Sequence, residues 1–200
     1  MGQRLVITLE QNEKKVAAIY YHWSAYTYSA LQETKDVINC IYNGEHEPIE
    51  GLLLRLIHHL EANGGGINGS DNEHEYIQKL YPNETFKTDG YSRNRGLIAI
   101  SPQGIALMQR WSEGDVYINL DTDEVDFCIY SGYESLEEYL DARKEWDDEF
   151  DENDFKDIPK LNCCLGLFGI DEIDDVIAEL DEVDGCAVIQ CGDEICELIE

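Results

Sequence analysis

Of the chain's 43 carboxylate side chains, 30 fall in residues 113–200, where only 4 Lys and Arg accompany them. Residues 1–112 carry 13 acidic and 10 basic side chains, so nearly all of the formal charge of −29 sits in one part. Unpaired carboxylates are almost never fully buried. The acids of the second part must therefore face water, and the apolar residues between them must form one-sided elements. The chain has the apolar material to do this. Hydrophobic residues make up 43% and aromatics 10%, too many for a disordered acidic tail. At 200 residues it is long enough to bury a core without disulfide staples. Seven Cys and abundant Tyr do not fit a halophilic shift of composition. A negative field of this size repels nucleic acids and anionic membranes and attracts basic proteins.

The apolar pattern predicts an α+β fold. Leu5, Ile7 and Leu9 recur at every second position, with Val6, Thr8 and Glu10 between and after them, which predicts a strand over 3–10. A second strand over 15–23 follows the turn Gln-Asn-Glu-Lys-Lys and completes an N-terminal hairpin. Helices are expected over 29–42 and 48–62, the second opened by Pro48 and ended by Asn63-Gly-Gly-Gly. Residues 63–72, rich in Gly, Asn and Ser, read as a flexible loop. A short helix over 72–81 ends before Pro82. Gly-Leu-Ile-Ala-Ile at 96–100 reads as a buried strand, and Ser101-Pro102 opens a helix over 102–111. A hairpin over 115–120 and 124–130 turns at Asp121-Thr122-Asp123. After a helix over 134–148 and the acidic run 147–157 comes a β-α-β-β unit: strand 161–168, helix 170–183, strands 186–191 and 195–199. The sheets should be antiparallel or mixed. The charge step divides the chain into a near-neutral α+β part, 1–112, and an acidic α+β part, 113–200. Alternatively the whole is one continuous domain, or the break lies near Pro159.

The two acidic helices are one-sided. At roughly 100° per residue, Glu134, Glu137, Glu138, Asp141, Glu145 and Asp148 share an arc of about 100°. On 170–183, Ile170, Ile173, Val176, Ile177, Leu180 and Val183 lie on one side. Asp171, Glu172, Asp174, Asp175, Glu179, Asp181 and Glu182 lie on the other. A solvated face ordinarily intersperses Lys at i,i+4 for relief; here only Arg143 and Lys144 do so. Successive acids on such a face stand about 6 Å apart, comparable with phosphates at about one charge per 3.4 Å of axis on each DNA strand. Rows of carboxylates can thus fill an Arg/Lys groove built for a nucleic-acid backbone. The candidate contact residues are Glu134, Glu137, Glu138, Asp141, Glu145, Asp148, Asp151, Glu152, Asp154, Asp171, Asp174, Asp175, Glu179 and Glu182.

No catalytic constellation or cofactor motif stands out. The five His form neither H-E-x-x-H nor H-x-x-E-H. His58 and His59 project to adjacent faces of a helix and cannot grip one ion together. The acidic run 147–157 lacks the Gly of a calcium loop, and Cys186, Cys191 and Cys196 have no adjacent His and no zinc spacing. Gly64-Gly-Gly-Ile-Asn-Gly69 lacks the Lys-Ser/Thr of a phosphate loop. No metal or cofactor is expected. Tyr20-Tyr-His-Trp-Ser-Ala-Tyr-Thr-Tyr28 is the densest aromatic segment. It reads as a core strand and its rim, or alternatively as a ligand pocket. In that alternative Tyr21, His22 and Trp23, with Arg93 and Arg95, would bind a small anionic nucleotide signal, as a binder, sponge or enzyme.

An odd count of seven Cys without C-x-x-C reads as reduced thiols packed as small core residues in the cytoplasm. The N-terminus has no apolar signal region, Val6 stands where a myristoylation signal needs Ser or Thr, and no apolar run is long enough to span a bilayer.

The acidic helices 134–148 and 170–183 and the run between them resemble the phage-encoded DNA-mimic inhibitors of anti-restriction and anti-CRISPR type. The opening Met-Gly-Gln-Arg-Leu and the stretch Tyr-Tyr-His-Trp-Ser-Ala-Tyr-Thr are similar to uncharacterised proteins of Gram-positive phages and mobile elements. The resemblance implies a non-enzymatic inhibitor acting in a host cytoplasm. Its partner would be a nuclease with a basic groove, a CRISPR effector or a restriction enzyme, and it would bind neither nucleic acid nor membrane directly.

Overall fold

In the computed structural model of the protein the described residues are 4–25, 27–42, 48–69, 71–87, 90–129 and 167–181. The first two strands, β1 (Leu5–Gln11) and β2 (Lys14–Tyr21), form an antiparallel hairpin. Its two-residue turn places Asn12 and Glu13 at φ of 52° and 60°. This left-handed pair matches the right-handed twist of the flanking strands.

Two helices follow, α1 (Thr27–Ile41) and α2 (Ile49–Ala62). Leu31, Val37, Ile38 and Ile41 of the first and Leu53, Leu56, Ile57 and Leu60 of the second are buried, each set at helical spacing. After α2 come β3 (Gly66–Ile67), α3 (Asp71–Leu80), a 3₁₀ turn (Arg93–Arg95), β4 (Leu97–Ala99) and α4 (Pro102–Gln109). Ser101 caps α4 by accepting a hydrogen bond from the Gly104 amide at 3.0 Å, with Pro102 in the first turn, an arrangement that leaves few amides of that turn unbonded. The hairpin β5 (Gly114–Asn119) and β6 (Glu124–Ile129) precedes β7 (Leu167–Gly169), a second 3₁₀ turn (Ile170–Glu172) and α5 (Ile173–Asp181).

All seven strands join one mixed sheet in the order β3-β4-β2-β1-β5-β6-β7. β1 runs parallel to β5, and β3 parallel to β4, while the other pairs are antiparallel. The α+β class with a mixed sheet is thus observed. Strands from either side of residue 112 lie side by side in it, Leu5 opposite Gly114 and Leu9 opposite Ile118. The sheet has two unlike faces. Leu5, Ile7, Leu9, Ile19, Val116, Ile118, Val125 and Phe127 point to the main core, which α1, α2 and α5 complete. On the other face a smaller cluster of Val6, Ala18, Tyr20, Ala99, Ile105 and Met108 lies beneath α4.

Two expectations need correction. Residues 63–72 are not a flexible loop: they hold β3 and the start of α3. A Cβ on Gly65 would stand 2.2 Å from the Gly96 carbonyl oxygen, so the glycines serve close backbone approach, and Gly66 and Ile67 are buried. The helix expected over 170–183 opens with a 3₁₀ turn before α5, fixed where the Gly169 amide donates to Glu172 Oε2 at 2.7 Å. The helix 134–148, the acidic run 147–157, the break near Pro159 and the strands 186–191 and 195–199 lie outside the described residues.

Candidate functional site

The described acids of the second part gather by simple strand geometry. On β5 and β6, Val116, Ile118, Val125 and Phe127 are buried. The alternation therefore sends Asp115, Tyr117, Asn119, Glu124 and Asp126 to the opposite face, the side that α4 covers over β1, β2 and β4. Glu10, Tyr117, Asn119, Glu124, Asp126 and Leu167 line an open depression of about 370 Å³ there. Burial pushes the Asp115 carboxyl up, against the pull of a Ser112 hydrogen bond and the Lys15 charge.

The acidic surface continues around the end of the sheet. The β5–β6 turn carries Asp121 and Asp123, both exposed. The Asn12 amide donates to Asp121 Oδ2 at 2.5 Å and the Tyr42 hydroxyl to Asp123 Oδ1 at 2.6 Å. The Ile170 amide bonds the Asp123 carbonyl at 2.9 Å, which sets Asp171 and Glu172 beside that turn. Along α5, Ile173, Val176 and Ile177 are buried while Asp174 and Asp175 are exposed, the split expected of a one-sided helix. Cations of the first part reach two of these acids: Arg4 pairs with Glu113 at 2.7 Å, and Lys35 pairs with Asp174. Lys15 extends over the Tyr117 ring, 5.4 Å from its centroid.

Of the predicted contact residues, Asp171, Asp174 and Asp175 stand exposed at this end. Glu179 lies in α5. Glu134, Glu137, Glu138, Asp141, Glu145, Asp148, Asp151, Glu152, Asp154 and Glu182 lie outside the described residues. Sequence reasoning sought acids on helices and passed over Asp115, Asp121, Asp123, Glu124 and Asp126. The alternation of 114–119 and 124–129 carried that signal for Asp115, Glu124 and Asp126, which it assigns to the polar face of two strands, and the turn between them carried it for Asp121 and Asp123.

A second feature lies at the other end of the sheet, beside α4. Tyr20, Asn68, Gly69, Tyr91, Arg93, Leu97, Leu107, Met108 and Trp111 line a cleft of about 440 Å³. Tyr20 comes from β2, and its hydroxyl lies 2.7 Å from His22 Nδ1. Burial raises the pKa of that hydroxyl, with Arg4 and Arg93 pulling it the other way. Tyr91 is seated by a missing side chain: a Cβ on Gly66 would lie 2.1 Å from its ring. His74 stacks on the same ring, with centroids 6.4 Å apart and planes at 22°. The Ser92 amide bonds the Gly64 carbonyl at 2.9 Å and the His22 amide bonds the Arg93 carbonyl at 3.1 Å, which fixes the 3₁₀ turn against β2. Leu107 and Trp111 are exposed.

The five residues suggested for an anionic ligand do not come together. Arg93 lines the cleft, and His22 supports it through Tyr20. Trp23 is exposed and packs edge-on to His22, outside the lining. Arg95 is exposed beside Gly64, likewise outside it. Tyr21 projects to the opposite face, into the main core with 1% of its surface accessible, because adjacent residues of a strand point to opposite sides. Among the described residues its hydroxyl has no hydrogen-bond partner, and burial raises its pKa well above the ordinary value. Tyr91 and Trp111, which sequence reasoning missed, come from a loop and the end of a helix, with no common period to reveal them.

Among the described residues no group of three or more His, Cys, Asp or Glu is placed to hold a metal ion, and no helix is long and apolar enough to cross a membrane. No family model, curated protein or solved structure matches the chain.

Proposed function

We propose that this protein acts by being bound: its acidic second part docks on the basic groove of a nucleic-acid-binding protein and excludes the nucleic acid. A nuclease of CRISPR-effector or restriction type is the partner that fits a phage-encoded anti-defence inhibitor. One observation carries the reading. Residues 113–200 hold 30 acids against 4 Lys and Arg, and Asp121, Asp123, Asp126, Asp171, Asp174 and Asp175 of that part stand exposed. Like charges gathered this way cost stability through self-repulsion. A basic partner relieves that repulsion and is steered to the surface at long range. The acids of 134–154, outside the described residues, add to the negative charge of the same part.

The test is inhibition of purified CRISPR and restriction nucleases by the wild type and by a variant with Glu138, Asp141, Asp171 and Asp175 changed to Lys. Wild type should slow cleavage, with the effect fading as salt rises and as competing DNA is added. The variant should retain its circular dichroism spectrum and lose inhibition. A folded variant that inhibits as well as wild type rules the proposal out.

A further inference from the structure

The cleft beside α4 is made of parts that the acidic surface does not use. Its walls are three aromatic rings, Tyr20, Tyr91 and Trp111, with Leu97, Leu107 and Met108 between them. About 440 Å³ falls in the range of pockets that enclose small molecules, typically about 300–1,000 Å³ with mostly apolar walls and few polar anchors. The walls are braced. Tyr91 is held between Gly66 and His74, and Tyr20 is tied to His22 at 2.7 Å. Rings fixed before a ligand arrives lose little freedom when it binds.

Arg93 sets the chemistry. It is exposed and lines the cleft, yet among the described residues no carboxylate is bonded to it. In a chain with 43 acids against 14 Lys and Arg, a guanidinium left open at an aromatic cleft offers its fork to an external anion. Planar forks of this kind pair with carboxylate or phosphate through two hydrogen bonds. A single cation with no second one in the lining suits one anionic group. A monophosphate already carries about −1.5 to −2 against the single charge of Arg93, and a di- or triphosphate would bring still more negative charge into the field of a chain whose net charge is −29.

We infer that this cleft binds a planar aromatic ligand bearing one anionic group, of the nucleoside monophosphate class, with the ring between Tyr91 and Trp111 and the anion on Arg93. The site is independent of the acidic surface and holds whether or not that surface meets a nuclease.

Calorimetric titration of the full chain with adenosine 5′-monophosphate, adenosine and inorganic phosphate tests it. Trp111 fluorescence gives a second readout, with Trp111→Phe as the control for its source. Adenosine 5′-monophosphate should bind saturably and quench Trp111, and adenosine and phosphate should each bind at least roughly tenfold more weakly, since a charge-assisted bond contributes about that factor or more. Arg93→Ala should reduce the monophosphate's affinity to that of adenosine. Gly69→Phe should abolish binding by filling the cleft: Gly69 lines it, is exposed, and has no atom within 4 Å of an added Cβ. Unchanged circular dichroism shows that each variant is folded. Failure of the monophosphate to bind at millimolar concentration overturns the inference. So does equal binding of phosphate alone, or undiminished binding by either folded variant.

Discussion

The two ends of the sheet handle charge in opposite ways. At the cleft end an acid is taken inside and bonded on all sides. Glu73 of α3 is fully buried, and its carboxylate accepts the Ile100 amide at 2.6 Å, the Ser101 amide at 2.9 Å and the Ser101 hydroxyl. Glu61 is likewise buried and accepts the Lys87 amide at 2.7 Å. At the acidic end most of the described carboxylates stay exposed on the turn, on the strand face and along α5, and those that bond do so at the surface, Asp121 to the Asn12 amide, Asp123 to the Tyr42 hydroxyl, Glu172 to the Gly169 amide and Asp174 to Lys35. A buried carboxylate therefore acts as a structural clasp, because its desolvation is offset only by donors fixed around it. An exposed one contributes little to the fold and remains available to a partner.

The sharpest way to break this contrast is Glu73→Ala. It strands two amides and a hydroxyl in the interior and leaves a void where α3 meets the start of α4. At about 1–3 kcal/mol per unsatisfied buried group, a loss of roughly 3–5 kcal/mol is expected by urea denaturation, a large share of a typical domain's stability. A loss below about 1 kcal/mol would mean that the clasp is not structural. Gly66→Ala should follow in size. Its methyl would collide with the Tyr91 ring, and overpacking of this kind costs about 1–3 kcal/mol. The ring must swing away, so near-ultraviolet dichroism should change at this end and not at the other.

The elements that carry their own periodicity were legible in the sequence. Leu5, Ile7 and Leu9 gave β1 the face that meets the main core, and Leu53, Leu56, Ile57 and Leu60 gave α2 its stripe. Ile173, Val176 and Ile177 did the same for α5. The burial of Val6 and Thr8 on the other face of β1 depends on α4 and was not legible. What was not legible depended on two distant segments meeting. Gly64-Gly-Gly read as a loop because glycine signals freedom locally, whereas here Gly65 and Gly66 are required by the Gly96 carbonyl and the Tyr91 ring. The cleft joins β2, the residues after β3, the 3₁₀ turn and α4, so no single stretch of sequence announces it. Arg93 was found for its charge, while Arg95, two residues on, shares that charge and points elsewhere.

A third test concerns Asp115 on the strand face, whose carboxyl is pushed up, by burial first, with Ser112 and Lys15 pulling down. Its folded pKa lies above the ordinary 3.8, so the native state holds the proton more tightly than the unfolded chain does. Its contribution to stability is then full below 3.8 and is lost as pH rises through the folded value. Asp115→Asn should therefore flatten the pH dependence of the melting temperature just above the ordinary aspartate range, and should raise stability at neutral pH by relieving an ionised, partly buried carboxylate. An Asn variant with the same slope as wild type would assign the slope to another group, such as Glu33, whose carboxyl burial also raises.

The smallest effect is expected at Asp174, and its smallness is the point. Its side chain keeps 70% of its surface exposed and pairs with Lys35, itself 34% exposed. Surface pairs contribute about 0–1 kcal/mol and salt screens them. Removing Asp174 also removes a charge that repels Asp171 one turn earlier and Asp175 beside it, at a few tenths of a kcal/mol. The two terms oppose one another, so Asp174→Ala should shift stability by less than about 0.5 kcal/mol in urea melts, and by less still at high salt. A loss above about 1 kcal/mol would show that Lys35 clamps α5 to α1 as Glu73 clamps α3 to α4. The acidic end would then also rest on a specific bond, and Asp174 would be committed to the fold and no longer free for a basic partner.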